Sequence, residues 1–238
     1  MIEMMHADCM EYMATLPDKA FNLAIVDPPY GIGGDGDKTI YGKSGKGNTF
    51  KECKLHEQKN WDYTIPDGKY FSELFRVSKN QIIWGGNYFT DFLRPTKAWV
   101  FWYKKITNPN NHTHSDGEMA WTSFNSITRM VAIDWIGFGY INSGEKKIHT
   151  SQKPVALYKW LLSRYAKPGD KILDTHGGSG SICIACHDLG FDLTWMELDA
   201  DYYAAACKRY QEHAAQAVLF EPQEIRQKTY NNEFDLTS

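Results

Sequence analysis

The tetrapeptide Asp27-Pro28-Pro29-Tyr30 carries the residue types best suited to chemistry on an amino group. The two prolines fix the backbone and remove two N–H donors, so backbone carbonyls and the Asp27 carboxylate are left as hydrogen-bond acceptors. Tyr30 adds a flat face on which a nucleic-acid base could stack. The turn therefore indicates a site that accepts hydrogen bonds from an amine. The structural alternative is a rigid turn in which Asp27 only caps the end of a strand.

A second motif, Asp174-Thr175-His176-Gly177-Gly178-Ser179-Gly180, joins a short apolar strand to a helix. Glycines let backbone amides approach a ligand, and the N-terminus of a helix favours negatively charged groups. Glu197 ends the next predicted strand, 23 positions after Asp174, where a carboxylate commonly accepts hydrogen bonds from a ribose. The pair predicts a ligand that contains adenosine, whereas the glycine loop alone is also compatible with a simple tight turn. No Lys-Ser or Lys-Thr follows the glycines, which disfavours phosphoryl transfer.

These motifs need a sheet that brings strand ends together. The last third of the chain alternates between helix and strand, which predicts an α/β fold: a Rossmann-like, doubly wound, mostly parallel sheet in a single domain with inserted loops. The predicted helices are 9–16, 68–78, 154–166, 179–189 and 200–213, with a short one after Asn87. The predicted strands are 21–26, 81–84, 98–103, 118–122, 128–133, 171–174 and 191–197.

The charge of the chain is unevenly distributed. Its 238 residues are 42% apolar and 23% charged, as in an ordinary globular protein, and the net charge of -3 by itself argues against nucleic-acid binding. Residues 38–59, however, hold six lysines and two glutamates, a net charge of +4, whereas residues 197–238 hold four basic and eight acidic residues, a net charge of -4. The basic stretch is interpreted as a loop that contacts phosphates, and a solvated lysine-rich loop is the alternative.

The sequence favours a cytoplasmic protein without a bound metal. Its apolar runs, such as 98–103, are far shorter than the ~20 residues of a membrane span, and a secretory signal is not recognisable. Five cysteines without framework spacing indicate reduced thiols. Cys183 and Cys186 have the spacing of half a zinc site, but both fall on a predicted helix and are interpreted as small buried residues.

Together with the segment His149-Thr150-Ser151-Gln152-Lys153-Pro154, the two motifs resemble the beta group of S-adenosylmethionine-dependent amino DNA methyltransferases, which act on adenine N6 or cytosine N4. As in that group, the catalytic turn precedes the cofactor loop, and the resemblance covers residues 5–214. It implies that Asp27, Pro28, Pro29 and Tyr30 are catalytic. It also implies that S-adenosylmethionine is held by Asp8, Cys9, His149, Gln152, Lys153, Asp174, His176, Gly178, Ser179, Gly180 and Glu197. His176 stands where the family commonly has Phe.

The catalytic domain is assigned to 1–216, and residues 217–238 are a polar tail because they lose periodicity. Residues 31–66 are irregular and lysine-rich, which predicts a mobile basic loop, and the resemblance implies a target-recognition insert at 104–148. Double-stranded DNA is the expected partner, while a homodimer and a separately encoded restriction nuclease stay open. Whether the enzyme acts alone or in a restriction-modification system stays open too.

The implied reaction is a direct methyl transfer to the exocyclic amine of a flipped adenine. Asp27 and the Pro28 carbonyl would accept hydrogen bonds from the amine, and Tyr30 would stack on the base. Trp61, Tyr41 and Phe50 are the candidates for a second aromatic face. Cytosine N4 as the target is the main alternative; RNA or a protein glutamine as substrate, and an inactive DNA- or cofactor-binding module, are more distant ones.

Overall fold

The fold is built on one sheet of eight strands, in the order β1-β8-β7-β2-β3-β5-β4-β6. It is seen in a computed structural model that describes residues 1–33, 61–104, 115–133, 135, 145 and 147–216. The strands are β1 (Ile2–His6), β2 (Phe21–Val26), β3 (Ser78–Trp84), β4 (Trp99–Tyr103), β5 (Gly117–Thr122), β6 (Arg129–Ala132), β7 (Lys171–Asp174) and β8 (Asp192–Glu197). The helices are α1 (Cys9–Ala14), α2 (Gly68–Val77), α3 (Val155–Tyr165), α4 (Ser181–Leu189) and α5 (Ala200–Ala214), with a 3-10 turn at Gly86–Tyr88.

The sheet is mostly parallel, as the sequence predicts. Strands β1, β8, β7, β2 and β3 pair in parallel, and β5 pairs antiparallel with both β3 and β4. From β2 the chain winds outward to β3, and from β7 it winds in the other direction to β8. The strand order therefore reverses between β2 and β7, and the carboxyl ends of such a strand pair form the crevice where open α/β sheets bind ligands.

Helices cover both faces of the sheet because the central strands are apolar on both sides. Leu23 and Ile25 of β2 pack in one cluster with α3 and α4, whereas Ala24 and Val26 pack in a second cluster with α1 and α2. A strand buried on both faces reads as a continuous apolar run, which is why β2 was recognisable in the sequence. The two layers of helices hold β2 and β7 rigidly in the centre.

The structure differs from the sequence-based elements in a few places. Strand β1 was not predicted, and it exists because Ile2–His6 pairs along its whole length with β8. Strand β3 begins at Ser78, directly after α2, rather than at residue 81. Strands β5 and β6 lie within residues 104–148, so this segment contributes to the main sheet.

Several predictions lie outside the described residues: most of the basic loop at 31–66, the tail at 217–238, and the aromatic candidates Tyr41 and Phe50. In the part of the chain that is described, no helix has both the length and the apolar character needed to cross a membrane.

Candidate active site

The Asp27 carboxylate lies at the carboxyl end of β2, where both of its oxygens have partners. The Tyr30 hydroxyl donates a hydrogen bond of 2.5 Å to Oδ1, and the Lys153 ammonium donates one to Oδ2. Lys153 also forms an ion pair of 3.1 Å with Oε2 of Glu118. Burial raises the pKa of Asp27, and the Lys153 charge opposes that rise. The Asp27 carboxylate thus sits in a network of hydrogen bonds and ion pairs that the sequence did not reveal.

Asp62 holds the turn from outside. One of its carboxylate oxygens accepts hydrogen bonds from the backbone N–H groups of Tyr30, at 2.6 Å, and Gly31, at 3.0 Å. Its own backbone carbonyl accepts from the N–H of Gly33. Asp62 is 3% exposed, so this contact is shielded from water and fixes the backbone just after the two prolines.

The Tyr30 ring packs against the turn that follows β3, while its hydroxyl donates to Asp27. It stacks on Tyr88 with a distance of 5.1 Å between ring centroids and 16° between planes. A Cβ on Gly85, whose φ is +68°, would lie 2.1 Å from the ring, so only glycine fits there. Tyr88 is 43% exposed and covers part of the ring expected to stack on a base. Tyr88 is thus an aromatic side chain beside the turn at 27–30, and nothing in the sequence identified it.

The glycine loop follows β7, the strand next to β2. The N–H of Gly178 donates to Oε2 of Glu197 at 2.8 Å, and the N–H of Asp199 donates to Oε1 at the same distance. A Cβ on Gly177 would lie 1.8 Å from the Trp195 ring, so this glycine is required for the loop to pack against β8. The loop and the end of β8 are therefore joined through the carboxylate that the sequence analysis assigned to a ribose.

The far end of the loop is anchored to α5. Arg209 donates hydrogen bonds of 2.9 Å to the Ser179 carbonyl and to the Ser181 hydroxyl, and it contacts Glu145 at 2.8 Å. Gly180 precedes α4 with a φ of +68°, and a Cβ there would come within 3.2 Å of Ala206. Ser179 is buried, and its hydroxyl lies 3.1 Å from the hydroxyl of Ser181.

Asp174 ends β7 in a buried position. It is 1% exposed, and its carboxylate accepts a hydrogen bond of 3.1 Å from the N–H of His176. Burial raises its pKa to about 8, helped by the nearby charges of Asp27 and Glu197. Ligand-free Asp174 is thus mostly protonated at neutral pH. A cation placed beside it would favour the carboxylate.

His176 fills the place of the family's usual Phe without carrying a charge. Its Nδ1 lies 2.9 Å from the Thr175 hydroxyl, and its ring meets the Tyr70 ring edge-on at 5.1 Å. Burial lowers its pKa to about 4, so the ring is neutral at physiological pH. A neutral imidazole held by aromatic contacts keeps the flat, uncharged character of a Phe.

The segment 149–154 divides into two parts. The His149 ring is tilted against Tyr202 at 4.2 Å and Trp61 at 5.3 Å, and it lies 3.7 Å from where a Cβ of Gly178 would be. Gln152 is buried, and its side-chain oxygen accepts from the Ile148 N–H at 2.9 Å. These two residues sit by the glycine loop. The Lys153 side chain points to Asp27 instead.

Asp8 and Cys9 lie where α1 begins. The Asp8 carboxylate accepts from the Met10 N–H at 2.7 Å and so caps α1. Burial raises the pKa of the Cys9 thiol to about 12, so it stays protonated. The contacts of the Asp8 carboxylate are those of a helix cap, and its role in binding the cofactor stays a prediction. In the described ranges no group of three or more His, Cys, Asp or Glu residues is arranged to hold a metal ion.

The edge of β7 and β8 fits the chemistry of S-adenosylmethionine. This cofactor carries a sulfonium and an ammonium group, which match the acidic side chain of Asp174, and a ribose, whose hydroxyls match the acceptor oxygens of Glu197. Gly178 has a φ of +51° and no side chain, so the loop backbone is open to a close ligand. The fit rests on the donor set and on this glycine conformation.

Comparisons with known proteins agree with this geometry. A DNA methylase profile matches residues 77–208, which is more than half of the chain. The Type II methyltransferase M.HinfI of Haemophilus influenzae is 25% identical over 247 residues, which cover 86% of this chain and 67% of that protein. The crystal structure of the M1.HpyAVI–SAM complex is similar at a TM-score of 0.57, with 21% identity, and covers 88% of this chain and 98% of that one.

The PvuII DNA methyltransferase, described as cytosine-N4-specific, is similar at a TM-score of 0.54 and 13% identity and covers 98% of this chain and 93% of that one. These structural likenesses confirm the methyltransferase fold. The matched residues 77–208 include the segment 149–154, the glycine loop and Glu197. The chain therefore belongs to the DNA methylase family, the S-adenosylmethionine-dependent enzymes that methylate adenine N6 or cytosine N4.

Proposed function

We propose that this chain transfers the methyl group of S-adenosylmethionine to the exocyclic amine of an adenine that is flipped out of double-stranded DNA. One observation carries the proposal: the Asp27 carboxylate and the glycine loop lie at the carboxyl ends of the neighbouring strands β2 and β7. A methyl donor on the loop and an amine on Asp27 would then meet above the point where the strand order reverses.

The cofactor residues are proposed as a set that binds the nucleoside end and the charged end differently. Glu197 accepts from the ribose, the loop at 178–180 approaches with its backbone, and Asp174 faces the cationic end. S-adenosylmethionine supplies a methyl group activated by its sulfonium. The role of the protein is to hold this group in line with the amine, which is catalysis by positioning.

The amine is proposed to bind to the Asp27 side chain and to the Pro28 carbonyl. An exocyclic amine is a poor nucleophile because its lone pair is delocalised into the ring, and two acceptors favour the geometry in which that lone pair points at the methyl group. A carboxylate has about four acceptor positions, of which Tyr30 and Lys153 occupy two. The amine therefore takes a remaining position or replaces the Tyr30 hydroxyl.

The flipped base is proposed to stack on Tyr30. Because Tyr88 stacks on this ring in the ligand-free protein, a base on that face requires Tyr88 to turn away. Trp61, one of the candidates for a second aromatic face, packs against His149 beside the cofactor loop. Tyr88 is therefore the better candidate for a side chain that exchanges places with the base.

DNA contacts are proposed for the basic residues of 31–66 and for the insert at 104–148. The cytoplasmic location, a homodimer and a separate restriction nuclease stay predictions from the sequence. The main competing target is cytosine N4, because acceptors at Asp27 and Pro28 serve either amine; an aspartate at the first position favours adenine.

The test is a transfer assay with labelled S-adenosylmethionine and double-stranded DNA, followed by digestion to nucleosides. We expect the label in N6-methyl-2′-deoxyadenosine. Label in N4-methyl-2′-deoxycytidine would change the target base but keep the reaction, whereas binding of both ligands without any transfer would indicate an inactive module.

A further inference from the structure

Four charged side chains of alternating sign lead from the protein surface to the catalytic turn. Lys104 Nζ lies 2.6 Å from Oε1 of Glu118, and Glu118 Oε2 lies 3.1 Å from Lys153 Nζ. Lys153 in turn contacts Oδ2 of Asp27. The four come from the end of β4, the start of β5, the segment before α3 and the end of β2. Only a folded sheet brings them into one row.

Lys153 is the buried centre of this row. Its side chain is 2% exposed, so water cannot solvate the ammonium. Two carboxylates take the place of water, and the ammonium also lies 5.2 Å from the Trp84 ring centroid. The family resemblance places Lys153 in the cofactor segment, but its charged end is used at Asp27. Glu118 belongs to none of the motifs quoted from the sequence.

The charge on Asp27 decides whether it can accept from the amine. Ionised, the carboxylate only accepts hydrogen bonds; protonated, it presents a donor and loses acceptor capacity. Burial and the Glu118 charge both raise the pKa of Asp27, and the Lys153 charge lowers it. Lys153 and Glu118 thus act on the same carboxyl group in opposite directions.

We propose that Lys153 and Glu118 are positioning residues for methyl transfer. Lys153 keeps Asp27 an ionised, oriented acceptor for the amine. Glu118, which Lys104 holds in place, shares the Lys153 ammonium, so that this ammonium does not bind Asp27 alone. The proposal rests on the proposed function, because it presupposes that Asp27 receives the amine. It adds a role at Asp27 for Lys153 and for Glu118, both of which act on the amine through the Asp27 carboxylate.

Other groups facing Asp27 form a fixed background. They come from the turn itself and from the elements packed against it: Tyr30, Tyr70 of α2, Tyr158 of α3 and Asp174 of β7. Burial holds the pKa values of the three tyrosines above the usual range, so they stay neutral. Asp174 is not fixed in the same way, because the Lys153 charge lowers its pKa as well. The affinity for S-adenosylmethionine is therefore measured at each pH for every variant, so that all rates are compared at saturating cofactor.

The test is the pH dependence of the single-turnover rate of methyl transfer, measured from about pH 5 to about pH 9 with saturating cofactor and DNA. Glu118→Gln keeps the side-chain shape and removes a negative charge, so the acidic limb of the profile should move to lower pH, by roughly one unit. Lys153→Met removes the opposing charge, so the limb should move to higher pH by about one unit or more.

On the acidic limb the rate of Lys153→Met should therefore lie about tenfold below that of the unchanged protein, and the difference should vanish at the alkaline end of the range. Glu73→Gln is the matched control, because Glu73 is paired with Arg76 on α2 at 2.7 Å, away from the turn; its profile should be that of the unchanged protein. All three variants should unfold in urea in a single cooperative transition, as the unchanged protein does, which shows that they are folded. Affinity for S-adenosylmethionine should be retained in Glu118→Gln and Glu73→Gln.

Opposite shifts in the two variants support the proposal. The proposal is overturned if the acidic limbs of the two variants move in the same direction, or if the rate is lower at every pH without a shift of the limb. Either result would mean that the ion pair between Lys153 and Glu118 has only a structural role. If Lys153→Met does not fold, Glu118→Gln alone decides, and an unmoved or raised limb counts against the proposal. Failure of the proposed function gives a different result, because the unchanged protein would then transfer no methyl group at any pH.

Discussion

Binding of S-adenosylmethionine should release a proton from Asp174. Burial raises the pKa of this carboxyl group to about 8, so near pH 7 about nine-tenths of the ligand-free protein holds it protonated. A cationic ligand beside it favours the carboxylate. Ionising Asp174 near pH 7 costs about 1.4 kcal/mol, a factor of about ten in affinity, and this cost disappears above the pKa.

The assay is titration calorimetry in two buffers with different enthalpies of ionisation. We expect release of about 0.9 proton per site near pH 7 and about 0.1 near pH 9, and cofactor affinity about tenfold higher at the upper pH. The amino group of the cofactor titrates in the same range. The measurement is therefore repeated with Asp174→Asn, and the difference between the two proteins isolates Asp174.

The variant has a second expected effect, on stability. The pKa of Asp174 is raised to about 8 in the folded protein, so above the ordinary pKa of this group the unfolded chain loses the proton while the folded protein keeps it. The free energy of unfolding therefore falls as the pH rises, until the folded protein loses the proton as well at about pH 8. Asp174→Asn cannot ionise, so the ligand-free variant should be more stable than the unchanged protein around pH 8 while it binds cofactor more weakly. Equal proton release by both proteins near pH 7 would refute the reasoning.

Two further predictions concern the packing of the site. Gly177→Ala should lower the free energy of unfolding in urea by about 3 kcal/mol, because the new Cβ would overlap the Trp195 ring. Gly68→Ala, whose Cβ would lie 3.4 Å from its nearest neighbour, should change this free energy little. Equal stabilities of the two variants would contradict the packing. Asp62→Ala removes the acceptor of the Tyr30 N–H, so the methyl transfer rate should fall at least about tenfold while the affinity for the cofactor stays unchanged. A normal rate would show that the turn at 27–30 keeps its conformation without Asp62.

Much of the fold could be predicted because the signals are local. The apolar run Phe21–Val26 and the alternation of strand and helix after residue 154 each predict their elements directly, and the alternation also predicts that the strands are parallel. The strand β1 was missed because Ile2–His6 shows no clear alternation of its own. It forms through pairing with β8, which lies at the other end of the chain.

The site was predictable where neighbouring residues in sequence form it, and not where the sheet assembles it. The loop at 174–180 is recognisable in the sequence by its glycines, and the turn at 27–30 by its two prolines. Glu118, Asp62 and Tyr88 do not, because an acidic or aromatic residue far along the chain has no pattern that identifies its partner. The contact of Asp62 with the turn spans 32 positions of sequence and exists only in the folded chain.

The side chain of Asp27 is the most direct test of the account, because the proposed transfer depends on its acceptor oxygens. The measurement is the single-turnover rate of methyl transfer to DNA by Asp27→Ala, with cofactor affinity measured on the same preparation and Asp18→Ala, a change at an exposed carboxylate paired with Arg76, as control. The account predicts retained cofactor binding, a normal rate for the control, and a loss of about a hundredfold or more for Asp27→Ala. Undiminished transfer by Asp27→Ala would contradict it.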